Sequence, residues 1–208
     1  MHKSKRKMSM SKVTKLAKIV VPASKVASIL GWKKNGMILA LQLSGDKIDL
    51  ALADKSHRET FPVETVDCKD MFHGKAYKYI NLKQLTRDDA IEAMKCRRAK
   101  VEAEFAQRVE EIVSNHEVSA VVANWPVTAE GVRMPKDCGK ILRVLDIINT
   151  HAPDVLSENR PVTLLEELRD LSVQNSHPTI LEDFMGAIWE YEEDGYRTDA
   201  TSSQLTYA

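Results

Sequence analysis

The chain has 208 residues, of which 43% are hydrophobic, and its formal net charge at pH 7 is zero. This length favours one domain with a proper core, and the absence of any run of about 18 apolar residues predicts that no helix spans a membrane. The three cysteines are widely spaced and odd in number. They indicate free thiols in a reducing intracellular compartment, and mitochondrion, plastid, nucleus and cytoplasm all stay open.

Residues 1–35 form a segment with its own charge. The chain contains basic residues but no acid before Asp46, so the remainder is acidic overall. The serine content and an amphipathic stretch over residues 13–21 favour an organelle-targeting segment. The basic cluster at residues 3–7 favours an arm that binds nucleic acid or directs the protein to the nucleus. A solvated tail is the third interpretation, and all three stay open.

Two apolar runs near residues 37–44 and 47–54 flank a tight turn at Gly45. This pattern predicts a β-hairpin. A third strand is predicted near residues 59–66. The connection that follows, residues 68–85, is polar and has no clear period.

A long helix is predicted from Thr86, which is a suitable N-cap. Apolar residues recur at three- and four-residue steps and predict one buried helical face; they are Ile91, Met94, Val101, Phe105, Val109 and Ile112. Residues 118–123 are apolar except for Ser119, which is typical of a central parallel strand.

The last third of the chain predicts a helix, a strand and a helix. Pro135 suits a first helical turn, and the apolar residues of that helix are Ile141, Leu142, Val144, Leu145 and Ile148. Residues 162–165 read as an apolar strand and residues 178–191 as a closing helix. The polar tail, residues 194–208, is expected to be disordered. The order β-β-β-α-β-α-β-α implies an α/β fold in which helices cover a mixed sheet.

Four segments carry a family resemblance. They are MILALQLSGDKIDLALAD (37–54), VSAVVANWPVTAEG (118–131), PVTLLEE (161–167) and EDFMGAI (182–188). Together they resemble the YqgF/RuvX family of RNase H-like proteins, over residues 36–193. The resemblance implies an RNase H-like fold, which has the predicted element order.

The resemblance also implies a site. The catalytic residues of the family fall on Gln42, Glu167 and Asp183, and the last two would be ligands of Mg²⁺ or Mn²⁺ in an active enzyme. Two departures stand out, because the family's first catalytic Asp is Gln42 here and the Arg of its Asp-Glu-Arg is Leu168. Asp46 and Asp49 are the acids that would replace the missing charge, each from a shifted position.

Each member of this set has a plainer interpretation. Gln42 alternates with two leucines, so it also fits a polar position on one face of a strand. Glu167 fits a solvated charge at a strand end. Asp183 borders the apolar face of the predicted closing helix, and a surface position is its alternative.

Four further residues are candidates for binding nucleic acid. Trp125 follows a parallel strand, where ligands of open α/β sheets bind, and it is placed either to stack on a base or to pack between strand and helix. Arg133, Lys136 and Lys140 lie at the start of the next helix. They are placed either to contact phosphate or to form a solvated face.

These residues support two hypotheses. In the first, the chain is a divergent nucleic-acid-associated protein, of the class that acts in ribosomal RNA processing or ribosome biogenesis, with impaired or lost nuclease activity. In the second, it is an active metal-dependent endonuclease on structured RNA or on branched DNA such as a Holliday junction. A protein partner is a further option for the inactive form, and the oligomeric state stays open.

Overall fold

The computed structural model describes residues 18–22, 26, 36–54, 60–72, 87–127 and 135–168. Its strands are β1 (Met37–Ser44), β2 (Lys47–Asp54), β3 (Thr60–Asp67), β4 (Val118–Val127) and β5 (Val162–Leu168). Its helices are α1 (Lys69–Phe72), α2 (Arg87–Asn115) and α3 (Pro135–His151). The predicted cap at Thr86, the closing helix 178–191 and the tail 194–208 lie outside the described residues.

The five strands form one mixed sheet in the order β3-β2-β1-β4-β5. β1, β2 and β3 are joined antiparallel, and β4 runs parallel to both β1 and β5. The predicted α/β fold with a mixed sheet is confirmed. None of the helices in the described ranges has the length and hydropathy to cross a membrane.

The hairpin of β1 and β2 follows from local sequence. Ser44 pairs with Lys47, so only Gly45 and Asp46 form the turn. Gly45 has a φ of 63°, in the left-handed region that glycine adopts at no steric cost. Both strands begin and end where the two apolar runs predict.

Side-chain alternation divides the sheet into two faces. Leu39, Leu41 and Leu43 point to one face, where the core also contains residues of α2 and α3; we call it the helix face. The opposite face is lined mainly by small side chains, and we call it the alanine face. Its buried residues are Ile38, Ala40, Ala51, Ala53, Ala120 and Val122, with Val26 packed on them.

The predicted helical faces are confirmed in part. Phe105, Val109 and Ile112 of α2 are buried, but Ile91 is 37% exposed. The neighbouring Ala90 is buried, and Ile91 lies about 100° around the helix from it. Leu142, one of the apolar residues of α3, is 44% exposed, because it lies about 100° around the helix from the buried Ile141.

Part of the 1–35 segment contacts the sheet. The Val21 amide donates to the carbonyl of Val162 over 2.8 Å, and Val20 forms a parallel bridge to the same residue of β5. Ile19 lies in the core of the helix face and Val26 on the alanine face. The division of the chain at residues 35 and 193 stays a prediction.

Candidate functional site

The carboxyl ends of the three parallel strands meet at one end of the sheet. Gln42 lies near the end of β1, and Trp125 lies near the end of β4 opposite Glu166 of β5. Ligands of open α/β sheets bind outside the carboxyl ends of the strands. This end of the sheet is therefore the candidate site.

A row of polar side chains crosses the sheet beside this end. Gln42 is buried, with 6% of its surface exposed, and it pairs directly with Asp49 of β2. Asp49 in turn pairs with Thr65 of β3, whose hydroxyl donates to Asp49 Oδ1 over 2.6 Å. We call Thr65, Asp49 and Gln42 the polar row. Residues opposed in an antiparallel pair point to the same face, with Cβ atoms about 4.5–5.5 Å apart.

The polar row continues the alanine face. Gln42 follows Ile38 and Ala40 at two-residue steps along β1, and Asp49 precedes Ala51 in the same way along β2. Asp49 was expected to need a shifted geometry to replace an acid at Gln42. Its carboxylate lies on β2 instead of β1, directly opposite Gln42 and on the same face of the sheet.

Asn124 fixes the separation between β1 and β4. Their ladder ends at the pair Leu41 and Ala123, one residue before Asn124. There the Asn124 Oδ1 accepts from the Leu43 amide over 2.9 Å, and its Nδ2 donates to the Leu43 carbonyl over 3.2 Å. Sequence reasoning missed this role. The available signal was an asparagine directly after the run predicted as a strand, residues 118–123.

Trp125 does not lie beside Gln42. It is half-buried and packs against the core of the helix face, whereas Gln42 belongs to the alanine face. The two residues share one end of the sheet and are on opposite sides of it. A ligand in contact with Gln42 would therefore have to pass around the end of β4 to stack on Trp125.

Lys140 is held inside the protein. Its ammonium donates to the Gly45 carbonyl over 2.6 Å and to Asp46 Oδ1 over 3.0 Å. Asp137 lies 3.6 Å away, the Phe72 ring centroid lies 5.4 Å away, and the side chain is only 12% exposed. An ammonium has three N–H donors, so these contacts join the hairpin turn to the first turn of α3 and leave little of Lys140 for phosphate.

The other predicted residues are placed less fully. Lys136 is exposed at the start of α3. The backbone of Glu167 lies in β5, opposite Pro126. Arg133 and Asp183 lie outside the described residues. Within the described part of the chain, no group of three or more His, Cys, Asp or Glu side chains is placed to hold a metal ion.

A charged cluster joins the two long helices away from this site. Glu102 of α2 is buried and accepts from Arg98 over 2.8 Å and from Arg143 of α3 over 2.7 Å. Arg143 also donates to Asp146 over 2.7 Å. Burial raises the pKa of Glu102, but the hydrogen bonds and charges of Arg143 and Arg98 outweigh it and hold that pKa below its ordinary value.

All three cysteines are free thiols. Burial, with a smaller effect of nearby acids, raises the pKa of the Cys68 thiol to about 12, so it is protonated and unreactive at neutral pH. Cys138 is also buried, and its thiol donates a hydrogen bond to the Pro126 carbonyl over 3.5 Å. Both residues are packing groups.

No protein-family model and no curated protein matches this chain.

Proposed function

We propose that the chain is a divergent YqgF/RuvX-like protein of RNase H-like fold whose nuclease activity is impaired or lost. In this proposal it associates with nucleic acid and belongs to the class of proteins that act in ribosomal RNA processing or ribosome biogenesis. The fold part of the proposal is supported by an antiparallel set of three strands that continues into parallel crossovers, as the resemblance implies. The functional part depends on one residue. Gln42 is a neutral, buried side chain at the position of the family's first catalytic acid.

The loss of that charge has a direct chemical consequence. Nucleases of this fold hold divalent cations with carboxylates, and the cations position the attacking water and the leaving oxygen. Mg²⁺ prefers charged oxygen ligands in octahedral geometry. A glutamine offers one neutral carbonyl oxygen, so it would hold the cation weakly and leave the water poorly placed.

The proposal of an anionic partner is supported by charge. The first 35 residues carry basic side chains and no acid, and Lys136 is exposed at the start of α3. Phosphate contacts of this kind release counterions, so affinity for RNA should fall steeply as salt rises. Such contacts carry no sequence information, and selectivity for structured RNA would need other contacts.

The test is a cleavage assay on structured RNA and on four-way DNA junctions, with Mg²⁺ or Mn²⁺. We expect binding in EDTA by fluorescence anisotropy and little or no cleavage with either metal. Gln42→Asp should tighten metal binding, and Gln42→Asn, which changes length but not charge, is the matched control. Cleavage by the native chain that Asp183→Asn abolishes would overturn the loss of activity, and the absence of any binding would overturn the nucleic-acid partner.

Asp49 supports the second candidate function, an active metal-dependent endonuclease. It brings a carboxylate to the strand beside Gln42, on the same face of the sheet. In this alternative Asp49, from β2, takes the place of the family's first-strand acid, with Glu167 and Asp183 as the other ligands that the resemblance implies. Asp49→Asn should then abolish cleavage, and the same assay decides between the two candidates.

A further inference from the structure

Two buried oxygen atoms of α3 have no hydrogen-bond donor in the described part of the chain. They are the Oδ1 atoms of Asp146 and Asn149. Only 13% of the Asp146 side chain and 8% of Asn149 are exposed. Buried polar atoms in native proteins are paired with other protein groups or with ordered water. The two oxygen atoms therefore indicate a bound group at this place.

The spacing of Asp146 and Asn149 favours one shared ligand. Residues three apart in a helix are neighbours on its surface, with Cβ atoms about 5–6 Å apart. Both Oδ1 atoms are acceptors, so neither satisfies the other. One small group with two donors, placed between them, would satisfy both.

The charges around Asp146 favour a neutral ligand. Its Oδ2 accepts from Arg143 over 2.7 Å, and Arg143 also donates to Glu102 over 2.7 Å. Arg98 donates to the same Glu102 oxygen over 2.8 Å. This network thus contains two carboxylates and two guanidinium groups, and its charges balance. A bound cation would add an uncompensated charge at a buried position, which is unfavourable.

We infer that Asp146 and Asn149 hold one buried water molecule, which donates one hydrogen bond to each Oδ1 atom. A water has two O–H donors, and the site offers two acceptors. Buried waters commonly make two to four hydrogen bonds to polar groups that are otherwise unsatisfied, and this site provides two of them. The inference does not depend on the proposed nucleic-acid partner.

The water takes part in the link between the two long helices. It completes the hydrogen bonding of the Asp146 carboxylate, whose other oxygen holds Arg143. Arg143 in turn holds Glu102 of α2. Asn149 fixes the water, so it supports a contact between α2 and α3 in which its own side chain has no direct part.

The first experiment is a crystal structure of the full-length protein, grown with Rb⁺ as the monovalent metal cation. We expect one density peak about 2.5–3.0 Å from both Oδ1 atoms, without the anomalous signal of Rb⁺. The peak should be lost in Asn149→Leu and kept in Asn115→Leu, a matched change at the exposed end of α2.

Four results of that experiment would overturn the inference. A Rb⁺ signal between the two oxygen atoms would identify a cation. A direct hydrogen bond from Asn149 Nδ2 to Asp146 would mean that the amide group is turned round. A protein donor between the two atoms, or no density there in the native chain, would leave no place for the water.

The second experiment measures whether the two side chains act together in solution. Urea unfolding gives the folding equilibrium constant of the native chain, Asp146→Ala, Asn149→Leu and the double variant. We expect Asn149→Leu to be about fivefold more unfavourable in the native chain than in the Asp146→Ala chain, which is in the usual range for residues of one hydrogen-bond network. Asn115→Leu should have the same effect in both chains. An equal effect of Asn149→Leu in both chains overturns the inference.

Discussion

Glu102 of α2 and Arg143 of α3 are joined by a hydrogen bond of 2.7 Å, between side chains that lie 41 residues apart in the sequence. The carboxylate is buried, and the same oxygen also accepts from Arg98. The two helices that cover the sheet are thus held together by one negative charge between two positive ones. Removal of that charge would leave the two guanidinium groups close together without their shared acceptor.

We expect Glu102→Gln to lower the free energy of unfolding at pH 7 by about 1.5–3 kcal/mol, the usual contribution of hydrogen bonds to charged groups. The pKa of Glu102 is lower in the folded protein than its ordinary value of 4.5, so this stabilisation is complete above that value and is lost as pH falls through the native pKa. Urea unfolding of the native chain and the variant at pH 7 and near pH 3 measures the loss of stability and its dependence on pH. Glu104→Gln, an exposed pair with Lys100, should change stability by less than about 0.5 kcal/mol. If Glu102→Gln lowers the free energy of unfolding as much near pH 3 as at pH 7, the ionised carboxylate of Glu102 is not the source of the stabilisation.

Lys140 and Lys136 should separate stability from binding. Lys140→Met removes the cation between Asp46 and Asp137 and the donor to the Gly45 carbonyl, so we expect a loss of about 1–3 kcal/mol of stability. Lys136→Met removes an exposed charge and should leave stability within about 0.5 kcal/mol while it weakens RNA binding. Thermal unfolding and fluorescence anisotropy on the same two variants test this. The opposite pattern, with Lys140 important for RNA and not for stability, would return Lys140 to the phosphate-binding set.

Asn124→Leu should be among the more destabilising single changes in the sheet. It would leave the amide and the carbonyl of Leu43 without the side-chain partner that Asn124 gives them, and a buried polar group without a partner costs about 1–3 kcal/mol. We expect a loss of about 2–5 kcal/mol by urea unfolding. Asn115→Leu, at the exposed end of α2, is the control and should have little effect. A neutral result for Asn124→Leu would show that the ends of β1 and β4 do not need the bridge.

The sequence predicts those parts of the fold whose causes are local. The hairpin of β1 and β2 depends on a two-residue turn with Gly45 at positive φ and on the two apolar runs that flank the turn, and both features lie within 18 residues. The start of α3 depends on Pro135 in the same way. By contrast, Asn124 bonds to a residue 81 positions earlier and Lys140 to one 95 positions earlier. No pattern within one segment contains those contacts.

The candidate site shows the same division. The place of Gln42 near the end of the first parallel strand and its pairing with Asp49 both follow from the local register of the hairpin, whereas the place of Trp125 depends on where β4 ends. The end of β4 was predicted too early, at residue 123. The strand runs on to Val127. Pro126 is tolerated since the β1–β4 ladder has already ended at Ala123, where a missing N–H removes no bond to β1. That extension places Trp125 on the helix face.

Truncation distinguishes a removable presequence from a segment that belongs to the domain. Deletion of residues 1–17 keeps Ile19 in the core, the Val21 bond to Val162 and Val26 on the alanine face. Deletion of residues 1–26 removes all three contacts, and each fully buried aliphatic side chain contributes about 1.5–3 kcal/mol. We therefore expect the longer deletion to lower the free energy of unfolding by several kcal/mol relative to the shorter one, with urea unfolding as the measurement. Ile19→Ser in the full chain is the point-mutation control and should give part of the same loss. Equal stability of the two truncated proteins would mean that residues 18–26 add nothing to the fold, and a presequence that is cleaved after them would then be compatible with a stable mature domain.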